Sequence, residues 1–260
     1  MPPSHLPTTQ ATVPASEAVV ARPASAPADR RPVLAVAHRG DPYRYRENTL
    51  PSVESALAAG ADAVEVDVQL TRDKVPVLLH DRTLERLWDD PRSIERVTVE
   101  QLDELRRGDL AIPTLAEAVK AVAAANGPRL LIDLDDPGPA AATWSVVTGL
   151  GAERQVSFCG PIAAMLAVRE LAPDASIALT WKQPRMPAPA LLKDLRPTFL
   201  NPPFGLVTPE FVDAAADSGL AVSTWTADLR RTMRRLRDTG VASITTNRIS
   251  LLRSVLDGRR

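Results

Sequence analysis

The chain has one cysteine in 260 residues, Cys159, so it can form neither an intramolecular disulfide nor a multi-cysteine metal site, and a reducing cytoplasm is the expected setting. Aromatic residues are scarce, at 4% against 45% hydrophobic residues in all, which leaves core packing to Ala, Leu and Val. Excess charge is missing too. The 31 Lys and Arg against 32 Asp and Glu give a formal net charge of -1, without the basic field that gathers nucleic acid or an anionic membrane. No segment supplies the roughly 18 consecutive apolar residues of a membrane-spanning helix, so no stable membrane insertion is expected. Residues 1–31, rich in Pro, Ala, Ser and Thr, lack the apolar core of a signal peptide and read as a disordered tail ahead of one domain at 32–260.

What the domain does have is alternation. Short apolar runs at 33–37, 63–68, 75–79, 129–134, 155–158, 176–180, 198–200, 220–225 and 242–245 are separated by stretches of helical periodicity. The helices are expected at 49–59, 115–125, 139–149, 161–171, 188–195, 208–218, 228–239 and 249–257, the first capped by Asn48 and the second by a Thr114–Glu117 capping box. Such alternation predicts a parallel sheet covered by helices, and about 250 residues suit a (β/α)8 TIM barrel. Nine strand candidates compete for eight barrel slots, and the link from 63–68 to 75–79 is too short for a covering helix.

The chemistry sits at the ends of these runs. In AVEVDV, Val64, Val66 and Val68 share one face, which turns Glu65 and Asp67 together toward the barrel interior. Two carboxylates there repel and lose solvation, which a bound cation or a held proton resolves; pairing with buried arginines is the structural alternative. RLLIDLDD repeats the pattern, with Asp133 the natural third ligand and Asp135 on the same parity. An all-oxygen set favours one divalent cation, Mg2+ or Ca2+, with Mn2+ also fitting. Of three histidines, His5 lies in the tail, while His38 and His80 each follow an apolar strand and so reach the C-terminal mouth where barrel active sites lie. Together beside carboxylates they form an acid and base pair. Arg39 can clamp a phosphoryl oxygen or pair with an acid, and Trp181 and Trp225 can line the mouth or pack in the core. The arginine-rich segment at 229–237 reads as a solvated outer helix rather than a lipid surface.

These residues resemble the glycerophosphodiester phosphodiesterases of the phospholipase-C-like barrel superfamily. AHRG (37–40) with ENT (47–49), GADAVEVDVQLTRD (60–73), VLLHDRTLER (77–86), IPTLAEAV (112–119), VSTWTAD (222–228) and GVASITTN (240–247) follow the family's order. The resemblance implies hydrolysis of a small-molecule or lipid-derived phosphodiester to a phosphomonoester and an alcohol, with one divalent metal and two histidines. His38 and His80 would be acid and base, Arg39 would contact phosphate, Glu65 and Asp67 would hold the metal, and Glu47 belongs to the same ENT motif. Asp133 replaces the family's usual glutamate, Asp135 its usual phosphate-binding lysine, and Asn247 its usual aspartate. Lys182, in LTWKQP, is the nearest substitute for the lost cation. The change at Asp135 leaves other readings open: a relative acting on a lysophospholipid or sugar phosphodiester, a lyase or transferase using an internal nucleophile, or a binding protein.

Overall fold

A computed structural model describes residues 32–259; the tail expected at 1–31 lies outside them. Eight strands run parallel in a closed ring: β1 (Leu34–His38), β2 (Ala63–Leu70), β4 (Arg129–Asp133), β5 (Val156–Gly160), β6 (Ile177–Thr180), β7 (Phe199–Asn201), β8 (Ala221–Thr224) and β9 (Ser243–Thr246). The ring closes where β1 pairs with both β2 and β9. The ninth strand, β3 (Pro76–Leu78), runs antiparallel against the end of β2 and stays out of the barrel. That explains the short link: a hairpin needs no crossover helix.

The helices α1 (Leu50–Ala58), α4 (Leu115–Ala124), α5 (Ala140–Gly149), α6 (Ile162–Leu171), α7 (Pro189–Leu195), α8 (Pro209–Asp217), α9 (Arg230–Thr239) and α10 (Ile249–Leu256) follow the barrel strands. Between barrel and helices lies the main core, where Val64, Val66 and Val68 of β2, Leu130 and Ile132 of β4, and Leu134 just after it are fully buried. The opposite parity builds a second, smaller core inside the barrel from Val36, Leu131, Cys159 and Ala178, with Ala63 and Phe199 against it. This inner plug is the floor on which the polar residues of the mouth stand. In α9, Met233 and Leu236 are buried and the arginines face outward or bind backbone carbonyls, as Arg235 does to Val207.

Residues 79–112 add short helices α2 (Glu85–Trp88) and α3 (Val99–Asp103), which alternation alone did not predict. They enclose a third core of Leu79, Leu84, Trp88, Ile94, Val97, Leu102 and Ile112 together with Val77 of β3. Rigidity so close to the mouth fixes the segment that carries His80. No helix among the described residues is long and apolar enough to cross a membrane.

Candidate active site

Strand register assembles the site. His38 stands opposite Glu65 between β1 and β2, and Asp67 opposite Asp133 between β2 and β4. One cavity of about 720 Å3 at the C-terminal mouth is lined by His38, Arg39, Glu65, Asp67, His80, Asp133 and Asp135 on one side. Thr180, Trp181, Lys182, Asn201 and Trp225 line it on the other.

Glu65, Asp67 and Asp133 each offer a carboxylate oxygen, all within 4.8 Å of one another, and Glu65 and Asp67 are buried. Two of the carboxylates are held by neighbouring donors. Glu65 Oε2 accepts from the Arg39 backbone N–H at 2.9 Å, and Asp67 Oδ2 accepts from Asn48 Nδ2 at 2.7 Å. Asp133 Oδ1 is buried with no hydrogen-bond partner. Burial, then the charges of Asp67 and Asp133, pushes the Glu65 carboxyl well above its usual range. Burial, then Asp67 and Asp135, pushes Asp133 up to about 7. Three oxygen donors, one buried and unpaired, with two carboxyls frustrated for want of positive charge, fit a hard divalent cation.

Local backbone geometry makes this possible. Arg39 has φ +58 and Gly40 φ +88, so the chain turns sharply after β1. A Cβ on Gly40 would come within 2.6 Å of the Ser52 backbone, so only glycine allows α1 to pack this close. Asn48, with φ +55, is not the cap expected from sequence: Thr49 caps α1, accepting from Ser52 N, and leaves the Asn48 amide to grip Asp67. An asparagine tolerates the left-handed region that the turn requires, which is why it could serve here.

The two histidines differ in their surroundings. His38 Nδ1 lies 2.7 Å from Asn247 Oδ1, and its Nε2 faces Glu65 at 3.9 Å. Burial, and then Arg39, lowers its pKa. His80 is more open, and its Nδ1 lies 2.6 Å from Asp81 Oδ1. Asp81 is held down to about 2, chiefly by its hydrogen bond from Arg86. Arg86 continues the chain to Glu47, which also accepts from Arg39 Nη1 at 2.9 Å, while Arg39 Nε stands 3.1 Å from Asp67. Glu47, uncertain in sequence, is thus the carboxylate that joins Arg39 to the His80 segment. Arg39 lines the cavity already paired to Glu47 and Asp67, which is the acid pairing read as one alternative in the sequence.

A family model for the "Glycerophosphoryl diester phosphodiesterase family" matches residues 38–251. The chain belongs to that family. A glycerophosphodiester phosphodiesterase of Caldanaerobacter subterraneus subsp. tengcongensis is 26% identical over 230 residues, 82% of this chain and 93% of its own. The Mycobacterium tuberculosis protein named "Probable glycerophosphodiester phosphodiesterase 1" is 29% identical over 254 residues, covering 86% and 93%. The crystal structure of a glycerophosphodiester phosphodiesterase from Parabacteroides distasonis shares the fold, with TM-score 0.76 at 24% identity over 87% of this chain and 97% of that one.

Within the family barrel, the candidate site residues read from sequence line one cavity except Glu47, which reaches it through Arg39, and Asn247, which reaches it through His38. Lys182 Nζ lies 5.6 Å from the centre of the Trp225 ring, and Asp135 lines the same cavity. Sequence reasoning missed Asn48, Asp81, Arg86 and Asn201. Asn201, at the end of β7, is buried with its Oδ1 unpaired in the cavity wall. Its signal was readable as a polar residue ending an apolar strand on the inward parity; those of Asn48 and Arg86 depend on loop paths that no periodicity encodes.

Proposed function

We propose that this family member is a divalent-cation-dependent phosphodiesterase that hydrolyses a glycerophosphodiester-like substrate to a phosphomonoester and an alcohol. The observation that carries the reading is the juxtaposition in one cavity of a three-carboxylate cluster, a guanidinium and two imidazoles. The family and its named glycerophosphodiester phosphodiesterase relatives support the substrate class. Glu65, Asp67 and Asp133 would hold one cation, Mg2+ or Ca2+. When bound, that cation supplies positive charge against the phosphoryl oxygens and neutralises its three ligands.

The residues of the chain do the rest. Arg39, oriented by Glu47 and Asp67, presents a planar donor fork to a phosphoryl oxygen. His38, half-buried and with its pKa lowered, is suited to accept a proton from the nucleophile. His80, open to solvent and hydrogen-bonded to the Asp81 carboxylate, is suited to protonate the leaving alcohol. Lys182 replaces the cation lost at Asp135, contributing from across the cavity while Trp225 bounds its position. Asn201 Oδ1 offers an acceptor to a substrate hydroxyl, which suits a polyol such as glycerol.

The test is steady-state release of alcohol from a glycerophosphodiester, with cation added back to chelator-treated protein. Turnover should return with added Mg2+ or Ca2+, and His38→Ala and His80→Ala should each lower kcat by about 100-fold to 10,000-fold. Full activity in either variant would remove that histidine from the mechanism.

A further inference from the structure

We infer that Asp228 and Asn247 are positioning residues that fix the tautomer and the aim of His38 through a two-link hydrogen-bond relay. The relay begins outside the cavity. Asp228, in the loop between β8 and α9, accepts from three donors of the segment that ends β9. Its Oδ1 takes Thr246 Oγ1 and the Asn247 backbone N–H, each at 2.8 Å, and its Oδ2 takes Asn247 Nδ2 at 2.7 Å. A carboxylate is an acceptor only, so it dictates which end of the Asn247 amide faces it. The amide nitrogen must point to Asp228, and its oxygen therefore points to His38 Nδ1, 2.7 Å away. An amide oxygen in turn only accepts, so Nδ1 must carry the ring proton. Nε2 is then left with its lone pair on the side of the ring that faces Glu65 and the cavity.

The consequence turns on Asn247 being an amide. Family resemblance puts an aspartate at position 247, where a carboxylate beside the ring would impose the same tautomer directly. Here the neutral amide has no such preference of its own, since an asparagine can present either end. The negative charge has moved one residue further out, to Asp228, and the amide transmits its demand. An orienting partner beyond the reacting ring decides which nitrogen is free. The inference rests on the reading of His38 as the proton acceptor, but its first readout does not need turnover.

The test uses the full chain labelled with 15N in the histidine rings, at alkaline pH where imidazoles are neutral. Loss of a signal in His5→Gln and in His38→Gln assigns the three rings. Wild-type His38 should show a protonated Nδ1 and a pyridine-like Nε2. In Asp228→Asn, the new amide donor would face the Asn247 amide donor, so Asn247 should turn over, offer Nδ2 to the ring and drive the proton to Nε2. That variant should lose about 100-fold or more in kcat with KM within about threefold. The exchange variant Asn247→Asp/Asp228→Asn should recover the Nδ1 proton and most of kcat, because every donor again meets an acceptor. A wild-type His38 protonated at Nε2 overturns the inference without any variant. So does an Asp228→Asn protein that keeps the wild-type tautomer and turnover, or a folded exchange variant that restores neither. A wild-type ring protonated at Nδ1 in a protein that hydrolyses no diester would instead leave the relay standing and remove the function.

Discussion

At the residue scale, the side chains of the candidate site were legible because each breaks the pattern around it. Glu65 and Asp67 interrupt a run of valines, and His38 and His80 end apolar strands. Their supporting residues were not, because Asn48 and Arg86 reach the site through turns whose course depends on tertiary packing. Asn48 gives a direct test of that support. Asn48→Gly keeps a residue comfortable at positive φ and removes only the amide that holds Asp67, so the fold should persist while cation affinity falls about 10- to 100-fold, read by calorimetric titration of Mg2+ or Ca2+. Unchanged affinity would make Asn48 a turn residue only. Lys182 is tested by Lys182→Ala. An exposed charge pair near 4 Å is worth about 1 kcal/mol, so KM for a glycerophosphodiester should rise about fivefold with kcat little changed. Unaltered KM and kcat would mean that Lys182 does not make up for Asp135.

At the element scale, the eight barrel strands were read correctly from apolar runs, but the ninth run proved to be a hairpin partner of β2. An apolar run specifies burial on both faces and does not say whether its neighbour is parallel or antiparallel. The short helices of residues 79–112 escaped for a related reason, since four- and five-residue helices are too short to show a period. What the barrel register does specify is crowding of carboxylates between β2 and β4, and this carries a pH signature. Asp133, with a folded pKa of about 7, sits above the ordinary carboxyl value. Its protonated form therefore favours the fold below about pH 4, and that contribution is lost as pH rises through about 7 in protein held free of cations. Asp133→Asn, which cannot ionise, should melt at the same temperature as the wild type or below it near pH 5. In chelator near pH 8 it should melt about 5 °C or more above the wild type. A divalent cation should raise the wild-type melting temperature at pH 8 and have little effect on the variant. Equal melting temperatures across the pH range would mean that the carboxylates do not strain one another.

At the scale of the whole molecule, the candidate carboxylates, imidazoles and guanidinium gather in one cavity at the barrel mouth. Floor and mouth follow from strand parity: Val36, Ala63, Leu131 and Phe199 plug the inner barrel, and the next inward residues, His38, Glu65, Asp133 and Asn201, line the cavity. The family match over residues 38–251 takes in every residue that lines this cavity. Asp133 and Asp135, read in the sequence as departures from the family, line the mouth cavity, and Asn247 meets His38 beside it. The most direct test is phosphorus NMR of the full chain with a mixed panel of glycerophosphodiesters, followed with Mg2+ or Ca2+ and again with chelator. The account predicts that at least one diester resonance gives way to a phosphomonoester when cation is present and persists unchanged when it is removed. Persistence of every diester at saturating cation, or turnover that chelator does not slow, would contradict it.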